Sequence, residues 1–304
     1  MKWDFLIKDK ESLLVSTDTR NLPAGCVFFA LHGERFDGNK FAKQALETGA
    51  SVAVIDNPEY ALPGGTLLVP NTLLALQDLA RAWRRELGLP IIGITGTNGK
   101  TTTKELLATV LSTKYNLHYT QGNLNNQIGV PLTLLQITRA HELAIVEMGA
   151  SHPGDIKELV DIAEPNYGLI TNVGRAHLEG FGSFEGVQNT KRELYDYLVA
   201  HDGTIFRNAD NPYLASMHDS ALSSLPISNS PQSGRPIAAD AASNSRLVAY
   251  ATGTMPSGTH LVGEYNAENV SAAICVGEYF GVSREQALEA IRQYVPTNNR
   301  SQSM

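Results

Sequence analysis

Gly93-Ile94-Thr95-Gly96-Thr97-Asn98-Gly99-Lys100-Thr101-Thr102 is the stretch that decides the fold. Residues 91–95 (IIGIT) are an apolar run of strand length, and residues 100–111 carry helical spacing. A strand, a glycine-rich turn and a helix N-terminus in that order make a phosphate-binding loop. The glycines let the backbone turn so that its N–H groups converge on phosphate oxygens, and the helix N-terminus adds a favourable field. The nucleotide-binding candidates are therefore Gly96, Thr97, Asn98, Gly99, Lys100, Thr101 and Thr102. Lys100 would neutralise the β and γ phosphates, and the Thr101 hydroxyl would ligate Mg²⁺. The general pattern G-x-x-x-x-G-K-[ST] wants a glycine six residues before the lysine, where this chain has Ile94.

Downstream of the loop, strands and helices alternate. Residues 143–147, 168–172 and 203–208 read as strands, and residues 156–162 and 184–198 as helices. Such alternation predicts an α/β fold with a mostly parallel sheet covered on both faces, although the strand order is not readable from it. Residues 266–279 and 283–294 look like two closing helices. Residues 215–245, rich in Ser, Ala, Asn and Pro, read as surface loops and edge strands. Upstream, runs at 26–31, 51–55 and 66–69 read as strands, with helices at 41–48 and 73–87. Gly88-Leu89-Pro90 then breaks the chain. Two domains are expected: a small α/β unit over 1–84 and a phosphate-loop unit over 85–304.

The composition is that of an ordinary soluble protein, with 42% hydrophobic and 18% charged residues among 304. No apolar stretch approaches the roughly 20 residues that span a bilayer, so no stable membrane association is expected. The start, MKWDFLIKDKESLL, lacks a basic region followed by an apolar core, so a cytoplasmic location is the expectation. A net charge of −7 and the lack of any basic run argue against nucleic-acid binding. Cys26 and Cys275 lack metal-ligand spacing and read as buried thiols.

The form Gly96-Thr97-Asn98-Gly99-Lys100-Thr101-Thr102 resembles that of the Mur ligases and the related folylpolyglutamate synthases. Further matches extend along nearly the whole chain. Asp18-Thr19-Arg20, Pro23-Ala24-Gly25, residues 28–31, Gly33 and Asp37-Gly38 resemble the uridine-nucleotide-binding unit of Mur ligases that add the third and later residues. Gly122-Asn123-Leu124-Asn125-Asn126, with Gly129 and Pro131, is similar to the members that add D-alanyl-D-alanine; those adding the third residue usually have Thr-Thr-Pro there. Glu147-Met148-Gly149, Asn172-Val173-Gly174 with His177, Lys191, Asn208-Ala209-Asp210, Asn266 to Asn269 and Arg300 continue the series in order. Tyr265 stands where the family usually has histidine, and a tyrosine can still stack on adenine.

The resemblance implies an ATP-dependent carboxylate–amine ligase that joins D-alanyl-D-alanine to UDP-N-acetylmuramoyl-tripeptide through an acyl phosphate, acting as a monomer with ATP and Mg²⁺. It implies Thr101 and Glu147 as ligands of one Mg²⁺. His177 and a carbamylated Lys191 would hold a second. It puts Arg300 at the transferring phosphoryl group, Asn269 at the adenine and Asn125 and Asn126 near the substrate carboxylate, with Thr19, Arg20 and Asp37 near the uridine. It also implies a third domain beyond Met304, so this chain alone is expected to be nearly inactive as a ligase. Competing expectations are a Mur ligase adding the third residue, a folylpolyglutamate synthase-like ligase, and a nucleotide-binding module without catalysis. A GTPase is disfavoured because no Asn-Lys-x-Asp base-reading motif is present.

Overall fold

The computed structural model describes residues 3–175, 178–223 and 247–296. They fall into two compact units. One takes in the described residues up to Leu89 together with Gln121–His141 and Ile162–Glu164, and the other holds the rest.

In the first unit, strands Val15–Ser16, Val27–Phe29, Val52–Ile55 and Thr66–Leu68 pair in parallel, in chain order. Cys26, Phe28, Ala45, Ala53 and Ile55 form a buried core between this sheet and the helix Ala42–Thr48. A short antiparallel pair, His32–Gly33 with Phe36–Asp37, precedes the 3₁₀ turn Gly38–Phe41. That corner is held by Asn39, which is buried. Its Nδ2 donates to Asp37 Oδ1 (2.9 Å) and Asp56 Oδ1 (2.9 Å), and its Oδ1 accepts from the Asp56 amide (3.0 Å). Burial raises the Asp56 pKa, but hydrogen bonds from Asn39 and Thr72 outweigh it and hold the carboxyl below its ordinary value.

Helix Thr72–Leu87 starts at Asn71, whose side chain accepts from the Leu74 amide at 2.8 Å, and stops at Gly88 in the left-handed region. Its apolar face packs on the helix Gly129–Leu135. Trp83 closes this contact: its ring is fully buried and Nε1 donates to the Ile137 carbonyl at 2.8 Å. The segment 121–141 therefore folds with the first unit although it follows the phosphate loop in sequence. Trp83→Ala should destabilise this unit by about 3–5 kcal/mol in urea unfolding, and Trp83→Phe by less, because it keeps most of the packing.

In the second unit six strands pair in parallel, in the order Leu247–Tyr250, Thr204–Asn208, Tyr167–Ile170, Ile91–Thr95, Leu143–Glu147, Leu117–Tyr119. The two-residue alternation of side chains assigns its faces. Ile92, Ile94 and Leu169 join a core with Leu106, Val110, Val270 and Ile274 from helices Lys100–Leu111 and Asn266–Tyr279. Gly93 and Gly168 point the other way, onto Leu194 and Leu198 of the helix Phe184–Ala200. Both faces are thus covered, and the central strands Ile91–Thr95 and Leu143–Glu147 are buried along their whole length.

Two expectations need correction. Within 215–245, the described part is not loop: Pro212–Ser223 is a helix that buries Leu214, Met217 and Ala221. Its Ser and Asp lie on the solvent face, which hid the apolar spacing; residues 224–246 lie outside those described. Cys26 is buried, but Cys275 is partly exposed.

Candidate active site

Strand Ile91–Thr95 ends between Leu143–Glu147 on one side and Tyr167–Ile170 on the other. The chain runs from this strand to the Leu117–Tyr119 side and later crosses from Leu143–Glu147 to Tyr167–Ile170 on the other side, so the strand order switches here, and open α/β sheets bind ligands at the carboxyl ends of such strands. The phosphate loop lies there. Gly96 has φ +144° and Gly99 φ +76°. A Cβ on Gly96 would stand 2.0 Å from Thr171 Oγ1, and one on Gly99 2.6 Å from Asn269 Oδ1. Both positions therefore require glycine for backbone angle and for space.

The loop is braced by the strand end next to it. The Asn98 amide donates to Asn172 Oδ1 (3.0 Å), and Thr171 Oγ1 donates to the Asn98 carbonyl (2.6 Å). The Thr97 amide donates to the Asn172 carbonyl (3.0 Å), and the Gly174 amide to Thr97 Oγ1 (2.9 Å). The Thr171 amide still donates to the Thr95 carbonyl (2.9 Å), while the Thr171 and Asn172 side chains turn to the loop. Gly96→Ala should push the loop off Thr171 and weaken ATP binding about tenfold or more, measured by calorimetric titration, with the fold retained.

Lys100, Thr101 and Lys104 share one face of the first turns of helix Lys100–Leu111. Lys100 Nζ donates to the carbonyls of Gly96 (2.8 Å) and Thr97 (3.0 Å), which keeps the ammonium over the loop. Thr101 Oγ1 donates to Glu147 Oε1 at 3.4 Å. Glu147 is 2% exposed, and its other oxygen lies 3.8 Å from Lys104 Nζ, also 2% exposed. The Glu147 amide donates to Thr120 Oγ1 at 3.0 Å, fixing the strand end that carries the carboxylate.

Lys191 also sits in this unit. It is only 2% exposed, on a helix whose Ser183 cap accepts from the Gly186 amide. Nζ lies 5.5 Å from the Phe181 ring centre, and no carboxylate among the described residues is within ion-pair distance. Burial, then the charge of Lys100, lowers its pKa to about 8 against the opposing pull of Asp155 and Glu193.

Asn269 is buried. Its Oδ1 accepts from Thr103 Oγ1 (3.0 Å) and its Nδ2 donates to Asn266 Oδ1 (3.0 Å), so the side chain backs Gly99. Tyr265, at the start of the helix Asn266–Tyr279, is 59% exposed. Asn208 and Asp210 tie the chain after their strand to Thr252.

The remaining candidates belong to the first unit. Asp18 and Arg20 pair with each other at the surface, and the side-chain and backbone hydrogen bonds from Arg20 hold the Asp18 pKa down to about 2. Thr19 lies between them, half-buried. Asp37 caps the 3₁₀ turn and lines a cleft of about 500 Å³ with His32, Arg35 and Asp56. Asn126 Oδ1 accepts from the Ile128 and Gly129 amides at the start of the helix Gly129–Leu135, and Asn125 is half-buried beside it. His177 and Arg300 lie outside the described residues.

Residues 13–84 match the Mur ligase family catalytic domain and residues 94–277 the Mur ligase middle domain. The chain belongs to the Mur ligase family.

Relatives of this Mur ligase chain include the UDP-N-acetylmuramoyl-tripeptide–D-alanyl-D-alanine ligases of Bacillus subtilis (strain 168) and of a Synechocystis species. The first is 36% identical over 91% of this chain and the second 40% over 93%; each alignment spans 61% of the relative. The chain thus covers about 61% of the length of these curated relatives. A crystal structure of MurF from Acinetobacter baumannii superposes with a TM-score of 0.77 at 29% identity, over 94% of this chain and 64% of that one. MurF from Thermotoga maritima in complex with ADP superposes at 0.76 with 25% identity, over 97% and 69%. Sequence reasoning had not singled out Lys104 or Thr171. The signal for Lys104 was its place one helical turn after Lys100; none was available for Thr171, whose role arises from strand pairing.

Proposed function

We propose that this Mur ligase chain serves the ATP-dependent joining of D-alanyl-D-alanine to UDP-N-acetylmuramoyl-tripeptide, through an acyl phosphate and with release of ADP, in the cytoplasm. The observation that carries this is the phosphate loop braced beside Glu147, in a chain 36–40% identical over nine tenths of its length to ligases so named. A substrate carboxylate attacks the γ-phosphate of ATP, and the incoming amine then attacks the acyl carbon and expels phosphate. Two anions must meet in the first step, so the site needs cations where charge crowds.

The residues present fit Mg²⁺. Thr101 Oγ1 and Glu147 Oε1 are hard oxygen donors 3.4 Å apart at the mouth of the loop. No group of three or more His, Cys, Asp or Glu side chains forms a cage among the described residues, as suits an ion that takes its other ligands from phosphate and water. When bound, Mg²⁺ would neutralise charge on the β and γ phosphates. Lys100 holds those phosphates, and the braced loop amides orient them. Lys191, with His177, would serve a second Mg²⁺ once its amine is carbamylated; its burial and lowered pKa support this. In the same reading Arg300 steadies the transferring phosphoryl group, Asn269 serves the adenine side, and Asn125 and Asn126 face the tripeptide carboxylate.

The deciding experiment is the mass of the product formed from UDP-N-acetylmuramoyl-tripeptide, D-alanyl-D-alanine and MgATP by the enzyme that carries these residues. A product extended by D-alanyl-D-alanine supports the reading; no such product, with extension of the dipeptide precursor or of a folate in parallel assays that supply them, would replace it. Residues 1–84 are proposed to hold the uridine end, with Thr19, Arg20 and Asp37 near the ring. Titrating UDP into the chain should slow amide exchange within 15–57, and protection confined to residues beyond 90 would refute that assignment.

A further inference from the structure

We propose that Lys104 is the fixed counter-charge of Glu147 and makes divalent-cation binding at Thr101 and Glu147 conditional on a nucleotide's phosphates. The inference rests on the loop being an ATP site, and it concerns a residue that the family motifs quoted above do not include.

Lys104 lies one turn beyond Lys100 and three residues beyond Thr101, so all three address the same side of the helix. Its ammonium is buried, 3.8 Å from Glu147 Oε2 and 5.9 Å from the centre of the Tyr119 ring. Glu147 is equally buried. A carboxylate so far from water must be held by a partner, and a buried ammonium likewise. The two oxygens of Glu147 are thereby given different roles. Oε2 faces the Lys104 ammonium at 3.8 Å, an ion pair longer than a hydrogen bond, and Oε1 accepts from Thr101. The hydroxyl and the carboxylate oxygen that would meet a cation are pre-set in one geometry.

The charges then determine when a cation can enter. Glu147 is already matched by Lys104. Lys100 also stands over the loop, its Nζ on the carbonyls of Gly96 and Thr97. A free divalent cation approaching Thr101 therefore meets one neutralised carboxylate among ammonium groups. The phosphates of a nucleotide add several negative charges at the same place, and only then does the balance favour a cation. A buried lysine that served only to stabilise the fold would leave cation binding unaltered.

Mn²⁺ is the probe, titrated into the whole chain and followed by electron paramagnetic resonance, with and without ADP. The wild type should bind Mn²⁺ with ADP and show no Glu147-dependent binding without it. Lys104→Met, which leaves the Glu147 charge unmatched, should strengthen nucleotide-free Mn²⁺ binding by about tenfold or more, and Lys104→Met with Glu147→Gln should lose that gain. Nucleotide-free affinity equal in wild type and Lys104→Met overturns the proposal. If Lys104→Met does not fold, comparison of wild type with Glu147→Gln decides: nucleotide-free Mn²⁺ binding that Glu147→Gln removes overturns it, and its absence in both supports it. Failure of the wild type to bind ADP at all would instead remove the ATP-site reading, and this inference with it.

Discussion

Lys100→Ala is expected to abolish ATP binding at micromolar nucleotide, a loss on the order of 100-fold or more in affinity, while leaving the fold in place. In the proposed reading the ammonium is the loop's cation for the β and γ phosphates, and the carbonyls of Gly96 and Thr97 hold it at 2.8 and 3.0 Å. Its removal should not unfold the helix, because Leu106, Leu107, Val110 and Leu111 anchor that helix in the core from later turns. A second effect follows from the neighbouring charge. Lys100 lowers the Lys191 pKa, so the variant should titrate Lys191 at higher pH. Titration calorimetry with ATP reads the first effect, and the pH dependence of Lys191 labelling reads the second. Unaltered ATP affinity would remove the phosphate-loop assignment.

Lys191→Met should stabilise the unliganded protein at pH 7 by roughly 3 kcal/mol, since each unit of pKa shift corresponds to about 1.4 kcal/mol and the group is almost wholly buried. Folding lowers this pKa from 10.5 to about 8. Between those values the unfolded chain holds more protons than the folded one, so stability rises with pH across that window. Below pH 8 the cost of burying the ammonium is fully present, and above 10.5 it has gone. The advantage of the methionine variant should accordingly shrink through pH 8–10.5 in urea unfolding series. A pKa that stays constant from unfolded to folded chain would make the two stability curves parallel and refute the assignment.

The same depressed pKa gives the lysine its proposed chemistry. At pH 7 roughly one Lys191 in ten is neutral, against about one in three thousand for an ordinary lysine. Only the neutral amine adds CO₂, and the resulting carbamate offers oxygen ligands and a negative charge to Mg²⁺. Lys191→Met should therefore lose most ligase activity in the enzyme that carries these residues, and added short-chain carboxylates should restore part of it. Near-normal activity would leave Lys191 as a buried lysine without a role in the reaction.

Much of the second unit's local structure was legible because it depends on residues close together in the chain. Strand Ile91–Thr95, helix Lys100–Leu111 and strand Leu143–Glu147 occur where their patterns put them. The helix Pro212–Ser223 was missed because its apolar positions are few and interrupted by Ser and Asp, so composition outweighed spacing.

The sequence by itself determined the phosphate loop and the α/β class. A glycine turn between an apolar strand and a helix is a short-range arrangement, and its chemistry follows from the order of residues. Only the tertiary structure decided which lysines are buried. Lys191 on its helix and Lys104 on another look like solvated residues in the chain. Each loses water because elements far apart in sequence close over it, and burial is what lowers a lysine's basicity or binds it to a carboxylate. The strand order was likewise decided in three dimensions, since pairing of Ile91–Thr95 with both Leu143–Glu147 and Tyr167–Ile170 joins segments tens of residues apart, and that pairing brings Thr171 and Asn172 to brace the loop.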